Sequence, residues 1–184
     1  MAESYERLGR LHDAIRCFLR ADSSSDREGL ALFKLAKLHA QLAAGDASLT
    51  LQGRRSGDGG GGNNEAGDDA DHNQLKAANY FRRLLVRENN ASSIGLSMPA
   101  EIIEARLFVA EFCKLQVQRS RLVNFNITGD ARVSADILEQ SLLQEAIMHV
   151  TRVVDGVTAG PVGVTRETGR ALLMELRQIL QPQR

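Results

Sequence analysis

The sequence predicts an all-α array of helical hairpins stacked into a solenoid, with a C-terminal capping helix and disordered insertions. Three observations carry this. Residues 34 positions apart match in size or polarity, as Met1 with Leu35, Ala2 with Ala36, Tyr5 with His39 and Leu8 with Leu42. Ala14, Phe18 and Ala21 are followed 63 positions later by Ala77, Phe81 and Leu84, which is the same period lengthened by 29. Apolar residues recur at the three- and four-residue steps of an amphipathic helix. A helix-turn-helix unit of this size cannot bury its apolar face alone and must stack on its neighbours.

The elements follow in order. Met1 to Leu8 reads as the last turns of a helix, with Met1, Tyr5 and Leu8 on one face and Gly9 able to end it. His12 to Ala21 sets Ala14, Ile15, Phe18 and Leu19 on one face. There small Ala14 lets two helices approach while Phe18 fills the gap beyond it. An array that opens in mid-helix exposes a stacking face, so the sequence reads as part of a longer array. The next unit begins with Leu30 to Leu42, where Leu32, Leu35, Ala36, Leu38, His39 and Leu42 form a broad stripe. Its partner helix, Gln74 to Arg87, comes only after residues 43–73. That segment holds Gly57 to Gly62 and Asp68, Asp69 and Asp71, with few apolar residues beyond Leu49 and Leu51. Such composition predicts a disordered insertion, whose closure cost rises only logarithmically with length.

A third unit opens at Pro99 with a helix over Ala100 to Gln116, carrying Ile102, Ile103, Leu107, Val109, Ala110, Phe112 and Cys113. Its partner, Ser134 to Val154, places Ala146, Val150 and Val153 each 69 positions beyond Ala77, Phe81 and Leu84. The surplus over the period predicts a second insertion at 119–143, although Ile137, Leu138, Leu142 and Leu143 suit an extension of the helix. Thr165 to Gln181, with Leu172, Leu173, Leu176, Ile179 and Leu180 on one side, predicts a capping helix ending before Pro182. The expected division is therefore repeats at 1–42, the first incomplete; an insertion at 43–73; repeat helices at 74–118; an insertion at 119–143; and the final repeat helix with its cap at 144–184.

Lysine and arginine balance aspartate and glutamate at 23 each, so no net field draws the chain to nucleic acid or an anionic membrane. Cys17 and Cys113 are too few for a disulfide framework and suit a reducing setting as two buried apolar residues. No apolar run approaches the roughly 20 residues of a membrane span, and the N-terminus lacks the apolar core of a signal peptide. The glycosylation patterns at Asn90 and Asn126 read as chance matches without a secretory route.

Chemical motifs give way to simpler readings. Gly57, Gly59 and Gly62 match a dinucleotide fingerprint in letters, but no strand precedes them and no helix N-terminus is marked to receive a phosphate. Asp69, Asp71 and Asn73 resemble the start of a calcium loop, yet Gln74 stands where the turn glycine belongs and Tyr80 where the bidentate glutamate belongs. His12, His39, His72 and His149 show neither zinc spacing nor the partners of a catalytic base, and His39 occupies the repeat's aromatic position. No catalytic residue, cofactor site or metal site is assigned, and the expectation is a protein that is not an enzyme.

The candidate site is a partner-binding face. First helices of stacked hairpins line the concave surface, and on Leu30 to Leu42 the side opposite the packing stripe carries Phe33, Lys37 and Gln41. An apolar contact beside a cation suits an extended segment with an acidic group. The simpler reading is a solvated lysine beside a loosely packed phenylalanine. The matching face of the third unit offers Leu107, Glu111 and Lys114, a mixture that disfavours a dedicated carboxylate clamp.

Tyr5 to Ile15 followed by Cys17 and Phe18 resembles the helix-turn-helix of tetratricopeptide repeats (TPR). More specific is the order of four stretches. Asp26-Arg27-Glu28 and the run Ala31 to His39 come first; Arg166 to Leu173 and Arg177 to Leu180 follow. Together they resemble the C-terminal end of the subunit-eight family of the anaphase-promoting complex, or cyclosome, a multisubunit ubiquitin ligase. The insertions at 43–73 and 119–143 depart from that family. The resemblance implies a TPR superhelix with no catalytic role of its own, located in nucleus and cytoplasm and acting in cell-cycle control. It also implies binding to neighbouring ligase subunits and the coactivator, and homodimerisation through N-terminal repeats that precede this sequence. Neither nucleic acid nor membrane is an expected partner. The alternative is a generic TPR adaptor for peptide or chaperone partners.

Overall fold

The computed structural model describes residues 1–24, 29–53, 65–90, 100–123, 129–156 and 163–181, and among them there is helix and no strand. Among the described residues seven helices follow one another: α1 (Ala2–Arg7), α2 (Leu11–Ser24), α3 (Leu30–Gly53), α4 (Glu65–Asn90), α5 (Ala100–Val123), α6 (Asp130–Gly156) and α7 (Gly163–Leu180). They form two compact units, Met1–Ala91 and Ser92–Arg184.

In the first unit α1 ends where Gly9 takes a left-handed backbone at φ +71. Its amide donates to Glu6 O and the Arg10 amide to Tyr5 O, the paired bonds that satisfy the last carbonyls of a helix and reverse the chain. Ala14, Ile15 and Phe18 of α2 are buried with Ala31, Leu35 and Leu38 of α3, and Ala2, Tyr5 and Tyr80 close over this cluster. α4 runs antiparallel to α3, since Phe33 meets Phe81 near the start of α3 and His39 meets Asn73 further along. Ala77 and Ala78 are buried completely, beside nearly buried Phe81, so small residues set the approach and one ring fills the space between. Gly29 (φ +75) faces the Leu84 side chain so closely that a Cβ there would collide with it. Asp22 of α2 accepts from Arg83 at 2.8 Å and Arg87 at 3.0 Å, tying α2 to α4.

In the second unit α5 and α6 are antiparallel, held by Ile102, Ala105, Val109, Phe112 and Val117 on one side and Leu143, Ala146, Val150 and Val153 on the other. α7 runs back along α6 with Leu172 and Leu176 buried. Its approach is close at Gly169, where a Cβ would lie 3.2 Å from Val154. The end of α7 is fastened to α5 by Arg121, which donates to Ile179 O at 3.2 Å and to Glu139 of α6 at 3.1 Å.

The helices run further than their periodicity predicts. α3 continues across 43–53 and α4 begins at Glu65, so helix occupies much of the expected insertion at 43–73. Residues 54–64, with the glycine run, lie outside the described residues. Once a helix is nucleated each added residue contributes its own hydrogen bond, and Ala43, Ala44, Ala47, Leu49 and Leu51 are all strong helix formers. Likewise α5 extends to Val123 and α6 starts at Asp130, so most of the expected insertion at 119–143 is helical. Individual faces also differ from expectation. Leu19, assigned to the packing stripe of its helix, is 41% exposed, and Ile137 and Leu138 lie in helix but outside the core. No helix among the described residues is long and apolar enough to cross a membrane.

Candidate partner-binding face

The face on α3 is built by a four-residue step, Phe33, Lys37 and Gln41, which places the three side chains one turn apart. Phe33 is half-buried and sets its ring edge-on against Phe81 of α4, with centroids 6.0 Å apart and planes at 62°. It therefore belongs to the α3–α4 joint and does not lie opposite the packing stripe as expected. The Lys37 ammonium sits over the same ring, 5.6 Å from its centroid, so the cation is steered by the aromatic face. Gln41 is exposed. Lys34, one position beyond Phe33, turns instead toward α1 and donates to Glu6 at 3.2 Å. The arrangement is an aromatic edge anchored in the joint, a cation held over it and an amide at the rim.

Behind this face lies His39, 6% exposed. Its Nδ1 donates to Asn73 Oδ1 at 3.0 Å, and its ring stacks on Tyr80 at 5.6 Å and 15°. Burial pushes its pKa below the ordinary 6.5; the bond to Asn73 offsets this in part, while Lys76, His72 and His12 add to it. His39 is a packing residue at the position where the preceding unit has Tyr5. Asn73, considered in sequence as part of a calcium loop, is inside α4 and serves as its acceptor. Among the described residues no group of three or more His, Cys, Asp or Glu side chains could hold a metal ion.

The corresponding face of α5 is occupied differently. Lys114 donates to Glu111 at 2.8 Å and to Glu175 of α7 at 3.0 Å. Burial alone would lower the pKa of this ammonium, but the two hydrogen bonds and carboxylate charges outweigh it, and the net shift is upward. Lys114 is thus a strut between α5 and α7.

Sequence reasoning did not single out Arg106. It is 2% exposed, in the α5–α6 joint. Its Nη1 donates to His149 Nδ1 at 3.3 Å, and His149 Nε2 lies 3.8 Å from Glu145 Oε1. The other carboxylate oxygen of Glu145 accepts from the Cys113 thiol at 3.5 Å. The available signal was positional. Arg106 stands 74 residues after Leu32 and His149 stands 69 after Tyr80, the offsets that carry one hairpin onto the next.

Comparison with protein-family models, with curated proteins and with solved structures finds no match.

Proposed function

We propose that the chain is a non-catalytic scaffold of tetratricopeptide type whose helical hairpins present a face for partner proteins. The observation that carries this reading is the coincidence of sequence period with burial. Ala14, Ala77 and Ala146 are each fully buried, and Phe18, Phe81 and Val150 are all buried at matching positions of the alternate helices α2, α4 and α6. Repetition of one packing unit is the economy of a scaffold, in which each hairpin supplies surface and a joint to the next. The face of Phe33, Lys37 and Gln41 would take an extended acidic segment, with the aromatic edge as its apolar contact and Lys37 as its charge partner.

More particularly, the reading is a subunit of the anaphase-promoting complex, supporting ubiquitin-ligase assembly and binding of neighbouring subunits and coactivator. The order of the stretches Asp26-Arg27-Glu28, Ala31 to His39, Arg166 to Leu173 and Arg177 to Leu180 supports it. Purification of the tagged chain from dividing cells, with its companions identified by mass, tests this. Recovery of ligase subunits in stoichiometric yield is expected. Recovery of chaperones in their place would favour the generic adaptor.

A further inference from the structure

One side of α6 carries a second surface, unlike in kind to the face on α3. Val133, Ile137, Gln140, Gln144, Ile147 and Thr151 succeed one another by alternating four- and three-residue steps, the spacing that draws one seam along a helix. The seam is turned away from Ala146, Val150 and Val153, which α6 buries together with Glu139, Leu143 and His149. Val133 and Ile137 are 58% and 64% exposed, Gln140 and Gln144 are exposed, Ile147 and Thr151 are half-buried, and no seam residue carries a charge. By contrast the exposed residues of α5 and α7 include Glu101, Glu104, Glu167, Arg170 and Arg177. The unit partly covers Ile147 and Thr151, while Val133, Ile137, Gln140 and Gln144 stand open with no charge among them.

The seam reads alike in both directions. Two amides stand at its centre, an isoleucine flanks them on each side, and Val133 at one end matches Thr151 at the other in shape. Reversed, it fits itself. About a two-fold axis near residue 142, Ile137 meets the second copy's Ile147, Gln140 meets its Gln144, and Val133 meets its Thr151. The flanking charges agree with this sense. Asp130 lies at one end of α6 with Arg132 on the opposite flank, and Arg152 and Asp155 lie at the other end, all exposed. A reversed copy brings each Asp130 to the other copy's Arg152, which then stands between that carboxylate and its own Asp155. A parallel copy would leave Asp130 and Arg152 at opposite ends, with no pair between them.

We propose that the α6 seam is the contact surface for a second copy of this chain, docked antiparallel with the four glutamine amides at its centre. Such a contact is isologous and closes as a dimer. A seam of about 27 Å with amides at core positions gives reversible association.

Sedimentation of the full chain over a range of concentrations tests the proposal, alongside Ile137→Lys, Arg152→Asp and the swapped pair Asp130→Arg with Arg152→Asp. The expected result is a monomer–dimer equilibrium that Ile137→Lys abolishes, with a melting temperature equal to that of dilute, monomeric wild type. Arg152→Asp should weaken it by roughly fivefold, and the swapped pair should restore most of the loss. In a Cys17→Ser background, Gln140→Cys chains should cross-link to Gln144→Cys chains in preference to themselves. A monomer at every concentration, a dimer indifferent to Ile137→Lys, or preferential Gln140→Cys self-cross-linking would overturn the proposal. So would a monomer in which Ile137→Lys loses a different partner, since the seam would then belong to that partner.

Discussion

The α3–α4 joint and the α5–α6 joint are the same packing problem solved with different chemistry. Offsets of 74 and 69 residues carry His39 onto Cys113, Leu32 onto Arg106 and Tyr80 onto His149. In the first joint the imidazole of His39 lies flat on Tyr80 and Leu32 is fully buried, so the contact is aromatic and apolar. In the second joint Arg106 takes the leucine position and is buried with its guanidinium donating to His149, while Glu145 joins His149 to Cys113. The backbone arrangement persists because it is set by the small residues at the crossing, Ala36 with Ala77 and Ala110 with Ala146, all fully buried. The larger positions around that crossing are free to change chemistry, provided a buried charge receives acceptors.

That comparison predicts a ranking of substitutions. Phe81→Ala should have the largest effect, a loss of about 3–5 kcal/mol, because the ring is 1% exposed and also supports Phe33. Chemical denaturation measures it. Lys76→Ala, on the same helix, should change stability by less than about 0.5 kcal/mol, and equal losses for the two would mean that the helical face is wrongly placed. Next comes His149→Ala, which removes the acceptor of Arg106 Nη1 from a buried site and should cost about 2–3 kcal/mol. If the joints are interchangeable in kind, Arg106→Leu together with His149→Tyr should recover most of that loss. Failure of the pair to recover would show that the second joint depends on its polar network in a way the first does not.

A smaller effect in the first joint depends on pH. The folded chain holds the pKa of His39 below 6.5, first through burial. The unfolded chain therefore takes up the proton at the higher pH. Stability is fully present above about pH 6.5 and declines as pH falls from there through the lower folded value. Denaturation midpoints measured from neutral to mildly acidic pH should show this decline in the wild type and a weaker one in His39→Phe. A decline of equal size in both would place the sensitivity elsewhere.

The periodicity made the packed positions legible, because alanine and aromatic residues at a fixed offset have one economical use in stacked helices. Ala146, Val150 and Val153 are each fully buried, as the offset from Ala77, Phe81 and Leu84 predicts. The helix ends were less legible. Burial patterns mark only the part of a helix that meets a neighbour; α3 continues beyond it through Ala43, Ala44 and Ala47 on backbone propensity, while the first turns of α4 are rich in carboxylates that suit the positive end of a helix dipole. Arg106 was missed for a related reason: a charge reads as exposed unless its acceptor is known, and His149 lies 43 residues away in sequence. Phe33 was placed on an open face because a helical wheel does not show how widely the neighbouring helix reaches around it.

The proposal of a binding face turns on Lys37. Lys114 is committed to Glu111 and Glu175, and Lys114→Glu should lower the melting temperature of its unit. Lys37 lies over the Phe33 ring, and charge reversal removes that cation–π contact. The most direct measurement is the yield of companion proteins co-purified with Lys37→Glu and with wild-type chain, matched to a melting curve of each. A sharp fall in yield with a melting temperature within a few degrees of wild type is the predicted result. Wild-type yield from Lys37→Glu would remove this face from the binding surface and contradict the account.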